Sequence, residues 1–447
     1  MSSFVQRALV AGAAAALIAG SASAQLLSGL GVPSVLPPVG LPTGGSLPVA
    51  GPLLDSILSQ PGAREAAVAP TLNTVAGLPQ RVAEAGPSTL LELRKLRLRE
   101  LIREYPRELE ADPLGQPVRR GILVAMDPDP VSLQLAVRGG FAIVGDERNP
   151  EIGMRTVTLA APRGMSTRDA LKRLRSVAPA LQADFDHLYE PAGGDLLPFA
   201  GALAASATAG GARVGMIDGG VASHPSLAGA AIEQNGFAGK PQPTGHGTAV
   251  ASLIVGSQGP FRGAAQGASL FVADVYGGSR AAGSASSIVR ALGWLASKRP
   301  EVINISLVGP RNALVERAVN AVRGRGINVV AAVGNDGPAA PPQFPASYPG
   351  VISVTAVDGH GRALPEAGKP THLDFAAPGA DMAAALPGQG YARVRGTSFA
   401  APLATARLVL SGSVQRLSGE AQPGKGRVGR GVVCGACRVD PKVVRAK

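Results

Sequence analysis

The sequence predicts an α/β protein in which parallel strands are joined by helical crossovers, preceded by a smaller α+β module. From residue 211 onward, short Val/Ile-rich runs alternate with helix-like segments, which is typical of a parallel sheet. Residues 114–190 contain strand-like and helix-like runs in β-α-β-β-α-β order. The 447 residues are 45% hydrophobic and 17% charged, which suits a chain of two or three globular domains.

Composition excludes several classes of protein. The 59 glycines and 38 prolines stay just below the level that indicates low complexity throughout, which argues against a fibrous or wholly disordered chain. Only one apolar run approaches membrane-spanning length, and it lies at the N-terminus, so a polytopic membrane protein is excluded. Two cysteines exclude a disulfide-built scaffold.

Residues 1–24 have the pattern of a secretion signal. Arg7 supplies positive charge, the run from Ala8 to Ala19 is apolar, and Ala22-Ser23-Ala24 offers small residues for cleavage. We therefore expect export to the periplasm or the cell exterior. The alternative is a retained membrane anchor, for which the run is short.

Two segments separate this signal from the α+β module. Residues 25–86 mix Leu and Val with frequent Pro and Gly, which predicts a linker. Residues 87–113 carry leucines at helical spacing among dense charge and predict an amphipathic helix that ends at Tyr105-Pro106. Such a helix can dock on a partner, but packing on its own chain is the expected use.

The α+β module names no chemistry by itself. Its predicted strands include GILVAM (Gly121–Met126), FAIVG, MRTVTLA and LQADFDHLY, with DERNPEIG as a connection between the second and third. Helices are predicted from Val131 to Arg138 and after Ser166, which is placed to cap the second helix.

A Gly/Ala/Ser-rich bridge (191–210) leads into the α/β domain (211–410), and a basic tail (411–447) follows. The tail holds eight Lys or Arg and two acidic residues, contributing half of the net charge of +12. We expect it to be mobile and solvated, with a weak contact to polyanions as an alternative. No aromatic residue lies among its charges, so specific nucleic-acid binding through base stacking is not supported.

Four polar residues lie at predicted strand or helix ends, where α/β proteins place their sites. Asp218 follows the strand VGMI, His246 opens a helix within TGHGT, Asn335 follows NVVAAVG, and Ser398 opens a helix within GTSFAAP. Amide hydrolysis needs a nucleophile, a base, a group that orients the base, and donors for the oxyanion. Each residue alone is consistent with a cap or turn, including a turn at Asn335-Asp336-Gly337, but the combination predicts catalysis.

The segments MIDGGVASHPSL, TGHGTAVASLIVG and RGTSFAAP closely resemble those of the subtilisin-like serine peptidases (subtilases). The resemblance spans about residues 213–410 and implies a doubly wound parallel sheet. It implies that Ser398 is the nucleophile, His246 the general base and Asp218 its orienting carboxylate. Asn335 and the Ser398 amide would hold the oxyanion.

The resemblance also implies a substrate-binding surface. Ser306-Leu307-Val308-Gly309 matches the strand that pairs with an extended peptide. Ala331-Ala332-Val333-Gly334 would line the pocket for the residue before the scissile bond, with Val333 larger than the family's usual residue.

By the same resemblance, residues 114–190 correspond to a ferredoxin-like prodomain that blocks the cleft, and Ser398 would cut the bridge between Tyr189 and Gly211. The alternative is a permanently attached accessory domain. The predicted function is an exported serine endopeptidase made as a self-processing zymogen and acting on protein or peptide substrates. The competing prediction is a catalytically silent scaffold that binds extended peptides.

The sequence also bears on cofactors and on the C-terminus. No cofactor is identified, and although subtilases often bind structural calcium, no Asp-rich loop has a recognisable ligand spacing. In an exported chain, Cys434 and Cys437 are expected to form a short-range disulfide; thiol labelling would separate this from free thiols. Only 49 residues follow Ser398, so an incompletely covered sheet edge is expected.

Overall fold

The computed structural model describes residues 86–192, 209–388, 390–444 and 446, together with the backbone of Leu196 and Leu197. The predicted signal peptide, nearly all of the linker and most of the bridge lie outside these residues. Within the described part, no helix is both long and apolar enough to cross a membrane.

The first described element is the helix α1 (Pro87–Glu104). Pro87 occupies its first turn, where a missing N–H costs nothing, and the helix ends just before the Tyr105-Pro106 pair. Leu90, Leu98 and Leu101 are buried, so the apolar face of α1 packs on its own chain, as its periodicity predicts.

An α+β module follows α1 and has the predicted β-α-β-β-α-β order after a short first strand. The elements are β1 (Leu109–Ala111), β2 (Pro117–Met126), α2 (Pro130–Arg138), β3 (Ala142–Asn149), β4 (Met154–Ala160), α3 (Thr167–Val177) and β5 (Ala183–His187). They form an antiparallel sheet in the order β1-β2-β4-β3, with β5 also paired to β2. Strand β3 continues through the DERN segment that we predicted as a connection, because Asp146–Asn149 pairs with β4.

The module has its own hydrophobic cluster beneath the sheet, which includes Leu123, Leu159 and Leu171. Ser166 accepts a hydrogen bond from the Asp169 amide and caps α3, as the sequence predicts. Asp129 caps α2 in the same way. Two short strands, β6 (Glu190–Pro191) and β7 (Leu196–Leu197), continue the chain beyond the module.

The strands of the larger domain are, in chain order, β8 (Arg213–Asp218), β9 (Ile232–Gly236), β10 (Ser257–Gln258), β11 (Phe261–Arg262), β12 (Ser269–Asp274), β13 (Val302–Ile305), β14 (Leu307–Val308), β15 (Asn328–Ala332), β16 (Ile352–Val357), β17 (Phe375–Pro378), β18 (Met382–Ala385) and β19 (Tyr391–Val394). Seven of them form a parallel sheet in the order β17-β16-β15-β13-β8-β12-β9. The order reverses direction at β8, so the sheet is doubly wound, as expected.

Helices connect these strands and pack against one another on the faces of the sheet. They are α4 (Gly245–Val255), α5 (Ala285–Lys298), α6 (Ala313–Gly324), α7 (Thr397–Ser411) and α8 (Val414–Glu420). Helix α4 packs against α7, and α5 packs against α6. Every residue of α4 after Gly245 is buried, because its small and apolar side chains are covered on all sides.

The C-terminal segment is folded, which corrects our prediction of a mobile, solvated tail. Leu417, Val433 and Val439 are buried. Val432 pairs with Ala376 of the edge strand β17, and the Val433 amide donates to the Ala376 carbonyl at 2.8 Å. The prediction of an incompletely covered sheet edge is therefore wrong as well. Cys434 and Cys437 form the expected disulfide.

Candidate active site

Three side chains far apart in the sequence lie in a hydrogen-bonded line. Nδ1 of His246 is 2.9 Å from both carboxylate oxygens of Asp218, and its Nε2 is 2.9 Å from Oγ of Ser398. Asp218 and Ser398 are fully buried and His246 is 7% exposed. Burial of this line beneath the cleft keeps the carboxylate and the imidazole in one arrangement, which is what a base and its orienting group require.

Local structure places the carboxylate and the imidazole. Asp218 is the last residue of β8, and its Oδ1 also accepts from the Gly219 amide at 2.7 Å. His246 lies in the first turn of α4, which Thr244 caps through the Gly247 amide. A Cβ on Gly247 would lie 2.3 Å from the Gly219 carbonyl, so only glycine lets the two segments approach this closely.

Ser398 is held by an unusual arrangement of its own carbonyl. Pro402 has no N–H and therefore cannot make the helical bond to the carbonyl four residues earlier, which is that of Ser398. The Ser306 hydroxyl donates to this carbonyl instead, at 2.9 Å. Asn304 donates to Ser306, and Thr405 donates to Asn304, so a buried chain of hydrogen bonds fixes the first turn of α7.

Asn335 uses both ends of its side-chain amide. Its Oδ1 accepts from the Thr397 amide at 3.0 Å, and its Nδ2 donates to the carbonyl of Ala192. The preceding Gly334 amide donates to the Thr397 hydroxyl at 3.1 Å. The loop after β15 is thereby tied to the residue before Ser398, so that Asn335 and Ser398 face the same point.

That point is occupied by the chain itself. Strand β6 pairs antiparallel with β14, and the Ala192 amide donates to the Ser306 carbonyl at 2.8 Å. The Ala192 carbonyl accepts from the Ser398 amide at 3.1 Å as well as from Asn335. Beyond it, the backbone of β7 pairs with β19. The segment therefore crosses the cleft with one peptide carbonyl against two donors beside Ser398.

Tyr189 anchors this segment three residues before Ala192. Its side chain is 1% exposed, and its hydroxyl donates to the Pro310 carbonyl at 3.0 Å. Its ring packs on Gly309, where a Cβ would lie 2.6 Å from the ring. Burial raises the pKa of the Tyr189 phenol well above its usual value, so the hydroxyl stays a neutral donor.

The predicted substrate-binding residues fall into two groups. Ser306, Leu307, Val308 and Gly309 all contact the segment 189–192, through the hydrogen bonds, strand pairing and ring contact described above. Ala331, Ala332, Val333 and Gly334 are buried and lead directly into Asn335. The Val333 amide donates to the Val354 carbonyl of the sheet, the Gly334 amide donates to the Thr397 hydroxyl, and the Gly334 carbonyl accepts from the Gly368 amide.

The α+β module is joined to the larger domain at two helix N-termini. Asp186 accepts from the amide and hydroxyl of Ser286 in α5, both at 2.9 Å. Asp184 accepts from the Ala313 amide at the start of α6, at 3.0 Å. Exposed N–H groups and the helix dipole both favour a carboxylate at these positions.

Buried His187 lies at the same junction, although the sequence offered no motif for it. Its Nε2 is 3.2 Å from Asp112, and its Nδ1 is 3.0 Å from the side-chain amide of Asn312, which caps α6. It therefore links the module to the larger domain.

Helix α1 reaches the loop beside Asn335. Nε of Arg94 lies 3.0 Å from Asp336, and Nη2 of Arg97 lies 2.9 Å from Asp336 and 3.3 Å from Glu190. The carboxylates of Glu190 and Asp336 raise the pKa of Arg97 further above its usual value. The sequence did not predict these contacts. The pattern Asn335-Asp336-Gly337 indicated a turn, and the periodicity of α1 predicted that the helix docks but not on which residues.

The described residues contain no cluster of three or more His, Cys, Asp or Glu side chains arranged to hold a metal ion. The expectation of structural calcium thus gains no candidate ligand set from this part of the chain.

Comparison with known proteins matches the larger domain to one family. The model of the subtilase family matches residues 209–420. Subtilisin Savinase of Lederbergia lenta is 36% identical over 200 residues, which cover 44% of this chain and 74% of Savinase. An alkaline protease of Alkalihalobacillus alcalophilus is also 36% identical over 200 residues, but the chain spans only 52% of its length.

A solved structure shows the same fold. Fervidolysin from Fervidobacterium pennivorans, described as a keratinolytic enzyme related to subtilisin, superposes with a TM-score of 0.59 at 19% identity. The superposition covers 72% of this chain and 61% of fervidolysin.

Proposed function

The chain belongs to the subtilase family of serine proteases, and from this premise we propose that it is a serine endopeptidase made as a self-processing zymogen. Ser398 is the proposed nucleophile, His246 the base, Asp218 its orienting carboxylate and Asn335 an oxyanion donor. The observation that carries the proposal is the Ala192 carbonyl, which accepts from both the Ser398 amide and Asn335 beside the aligned Ser398 hydroxyl.

The proposed reaction breaks the bond between Ala192 and Gly193. Ser398 Oγ attacks the Ala192 carbonyl carbon and passes its proton to Nε2 of His246, while Asp218 holds the Nδ1–H and stabilises the imidazolium. His246 then gives the proton to the Gly193 nitrogen as it leaves. Water, deprotonated by His246, releases Ala192 as a carboxylate and restores Ser398. The two oxyanion donors stabilise the negative charge that develops on the carbonyl oxygen. Each contributes about 3 kcal/mol to transition-state stabilisation.

In this proposal the α+β module and α1 are an intramolecular prodomain, and the substrates are extended protein or peptide segments that replace residues 189–192. Antiparallel pairing with β14 supports an extended substrate, because it recognises backbone rather than one side chain. Export to the periplasm or the cell exterior is proposed from residues 1–24 alone. A weak polyanion contact of the C-terminal segment stays a prediction, for which retention on an anionic resin should fall steeply with added salt.

Intact mass spectrometry of the purified full chain tests the proposal. We expect a wild-type product whose N-terminus is Gly193, and a Ser398→Ala chain that keeps the Ala192–Gly193 bond. A Ser347→Ala chain is the matched control, because it removes another buried serine hydroxyl, one that accepts from the Thr371 amide.

Fluorophosphonate labelling reports separately on the triad, since the reagent reacts only with an activated serine. Labelling should occur in the processed wild type and be lost in Ser398→Ala and His246→Ala. Folded wild type that neither labels nor loses the module would instead identify a silent peptide-binding scaffold with a permanently attached accessory domain.

A further inference from the structure

We propose that Asp336 makes the processed enzyme select a basic side chain at the third residue before the scissile bond. This inference rests on the proposed function, because it concerns the substrates of the same cleft. It begins from a carboxylate that is 7% exposed and bound by two arginines of α1.

Both arginines belong to the part of the chain that the proposed cut separates from the larger domain. Arg94 binds one oxygen of Asp336, and Arg97 binds the other. When α1 leaves with the module, Asp336 loses both cationic partners and becomes accessible from the cleft, one residue after Asn335. A carboxylate stripped of two guanidinium groups is a site for another cation.

The contacts of Arg97 indicate which substrate residue would supply this cation. Its Nη2 lies within hydrogen-bonding distance of both Asp336 and Glu190. Glu190 is the third residue before the Ala192–Gly193 bond and pairs with Val308 of β14. Arg97 thus bridges two carboxylates that face each other across one nitrogen atom.

Removal of Arg97 changes which side chain is favoured at the third residue before the scissile bond. A substrate with Glu at this position would place its carboxylate opposite Asp336 with no cation between them. A substrate with Arg or Lys, whose side chain is longer than that of Glu, would reach Asp336 and make the pair directly. The selection is therefore two-sided, with attraction for a basic residue and repulsion of an acidic one.

Peptide cleavage by the processed enzyme tests this selection. The probes are Tyr-Arg-Pro-Ala, Tyr-Gln-Pro-Ala and Tyr-Glu-Pro-Ala, each followed by the same fluorogenic leaving group. We expect kcat/KM to fall in the order Arg, Gln, Glu, with about a tenfold ratio between Arg and Glu. In Asp336→Asn that ratio should approach one.

The matched control is Asp440→Asn, which makes the same change in charge at a carboxylate that accepts from the Lys442 amide in the C-terminal segment. It should keep the tenfold ratio. A wild-type ratio near one, or a ratio that survives in Asp336→Asn, would overturn the inference while leaving the proposed peptidase intact.

A second measurement tests the pairing with Asp336 without requiring peptide cleavage. Absence of cleavage would itself contradict the proposed function. In the full-length Ser398→Ala chain carrying both Arg94→Ala and Arg97→Ala, residue 190 faces Asp336 with neither of the two arginines present. We expect the thermal midpoint to rise from Glu190 to Glu190→Gln to Glu190→Arg, and the rise to disappear when Asp336→Asn is added. Equal midpoints with Asp336 present would refute the pairing of a basic residue at this position with Asp336.

Discussion

Asn335 shows how one side chain serves both structure and the proposed chemistry. Its oxygen holds the Thr397 amide, and its nitrogen donates to the Ala192 carbonyl. In Asn335→Ala both contacts are lost. We expect self-cleavage to slow by about 10²-fold to 10³-fold, because one oxyanion donor is missing. The rate at which the fragment beginning at Gly193 appears, followed by mass spectrometry, measures the effect.

Asn335→Asp separates the two contacts of this residue. A carboxylate still accepts from the Thr397 amide but has no hydrogen to donate to Ala192, and its charge opposes an oxyanion. We expect cleavage as slow as in Asn335→Ala or slower. Wild-type cleavage rates in both variants would show that Asn335 is not an oxyanion donor.

The surroundings of Asp112 lead us to expect that the α+β module loses stability at acid pH. Burial alone would raise its pKa, but hydrogen bonds from His187 and from the Gln116 and Leu114 amides outweigh burial and hold the pKa below its usual value. A depressed folded-state pKa means that the stabilisation is complete above about pH 4 and is lost as the pH falls through the folded pKa. Asp112 therefore destabilises the module as it becomes protonated.

Thermal midpoints from pH 6 to pH 3 check this expectation in the Ser398→Ala chain. Adding Asp112→Asn should lower the midpoint at pH 6, and the difference between the two chains should shrink as the pH falls. A difference that stays constant over this range would mean that protonation of Asp112 is not involved.

At the residue scale, the sequence predicted which side chains meet but not what lies between them. Asp218, His246, Asn335 and Ser398 could be placed together because each follows a strand or opens a helix at one sheet edge. Ala192 could not be identified, since its position depends on the register between β6 and β14. That register is set by contacts such as Tyr189 on Gly309, more than 100 residues apart.

At the element scale, the end of β5 carries the contact that holds the module to the larger domain. Asp186 is fully buried and caps α5 through Ser286, with Arg119 at 3.1 Å. Asp186→Ala would leave these donors unpaired at a cost of about 1–3 kcal/mol. We expect the cleaved module to dissociate about tenfold or more faster, shortening the lag before peptidase activity appears.

Asp146→Asn is the control for this element. Asp146 lies on β3 and pairs with Arg155 within the module, where its side chain is 45% exposed. It should leave the lag unchanged. If Asp146→Asn and Asp186→Ala shorten the lag equally, the effect comes from weakening the module's fold rather than its contact with α5.

Element boundaries were predictable where local chemistry determined them. The capping of α3 by Ser166 and the end of α1 before Pro106 follow from neighbouring residues alone. Strand β3 ran further than predicted because its polar DERN residues pair with β4, and pairing between distant strands overrides local polarity. The target of α1 depended on Asp336, more than 200 residues away in the chain.

At the scale of the whole molecule, the C-terminal segment completes the main sheet. It pairs with β17 through Val432 and buries Val433 and Val439. A chain ending at Glu420 should expose the edge of β17, so we expect a thermal midpoint several degrees lower and concentration-dependent association. Differential scanning calorimetry and light scattering of the Ser398→Ala chain measure these effects.

Val433→Asp in the full-length chain tests the same segment without shortening it. A buried, unpaired carboxylate should release the segment and reproduce the truncated behaviour. Identical midpoints for all three chains would show that the segment contributes nothing to stability.

The C-terminal segment was predicted to be solvated because its net charge says nothing about where its valines and cysteines lie in the fold. Its basic residues are compatible with a folded segment because some meet partners in the larger domain, as Arg430 meets Asp374. The seven-stranded core, by contrast, was predictable from alternating apolar runs and helical patterns, since nearly every one of its strands is buried on both faces.

The occupied cleft makes inhibition depend on protein concentration only after the proposed cut. In the proposed zymogen, while the Ala192–Gly193 bond is intact, the segment 189–192 is held in the cleft at an effective concentration set by the chain itself, whatever the protein concentration in solution. Once that bond is broken, the same contact becomes a bimolecular equilibrium between two products made in equal amounts. Simple dilution then favours the free enzyme, so a chain released into a large volume would become active without any second protease.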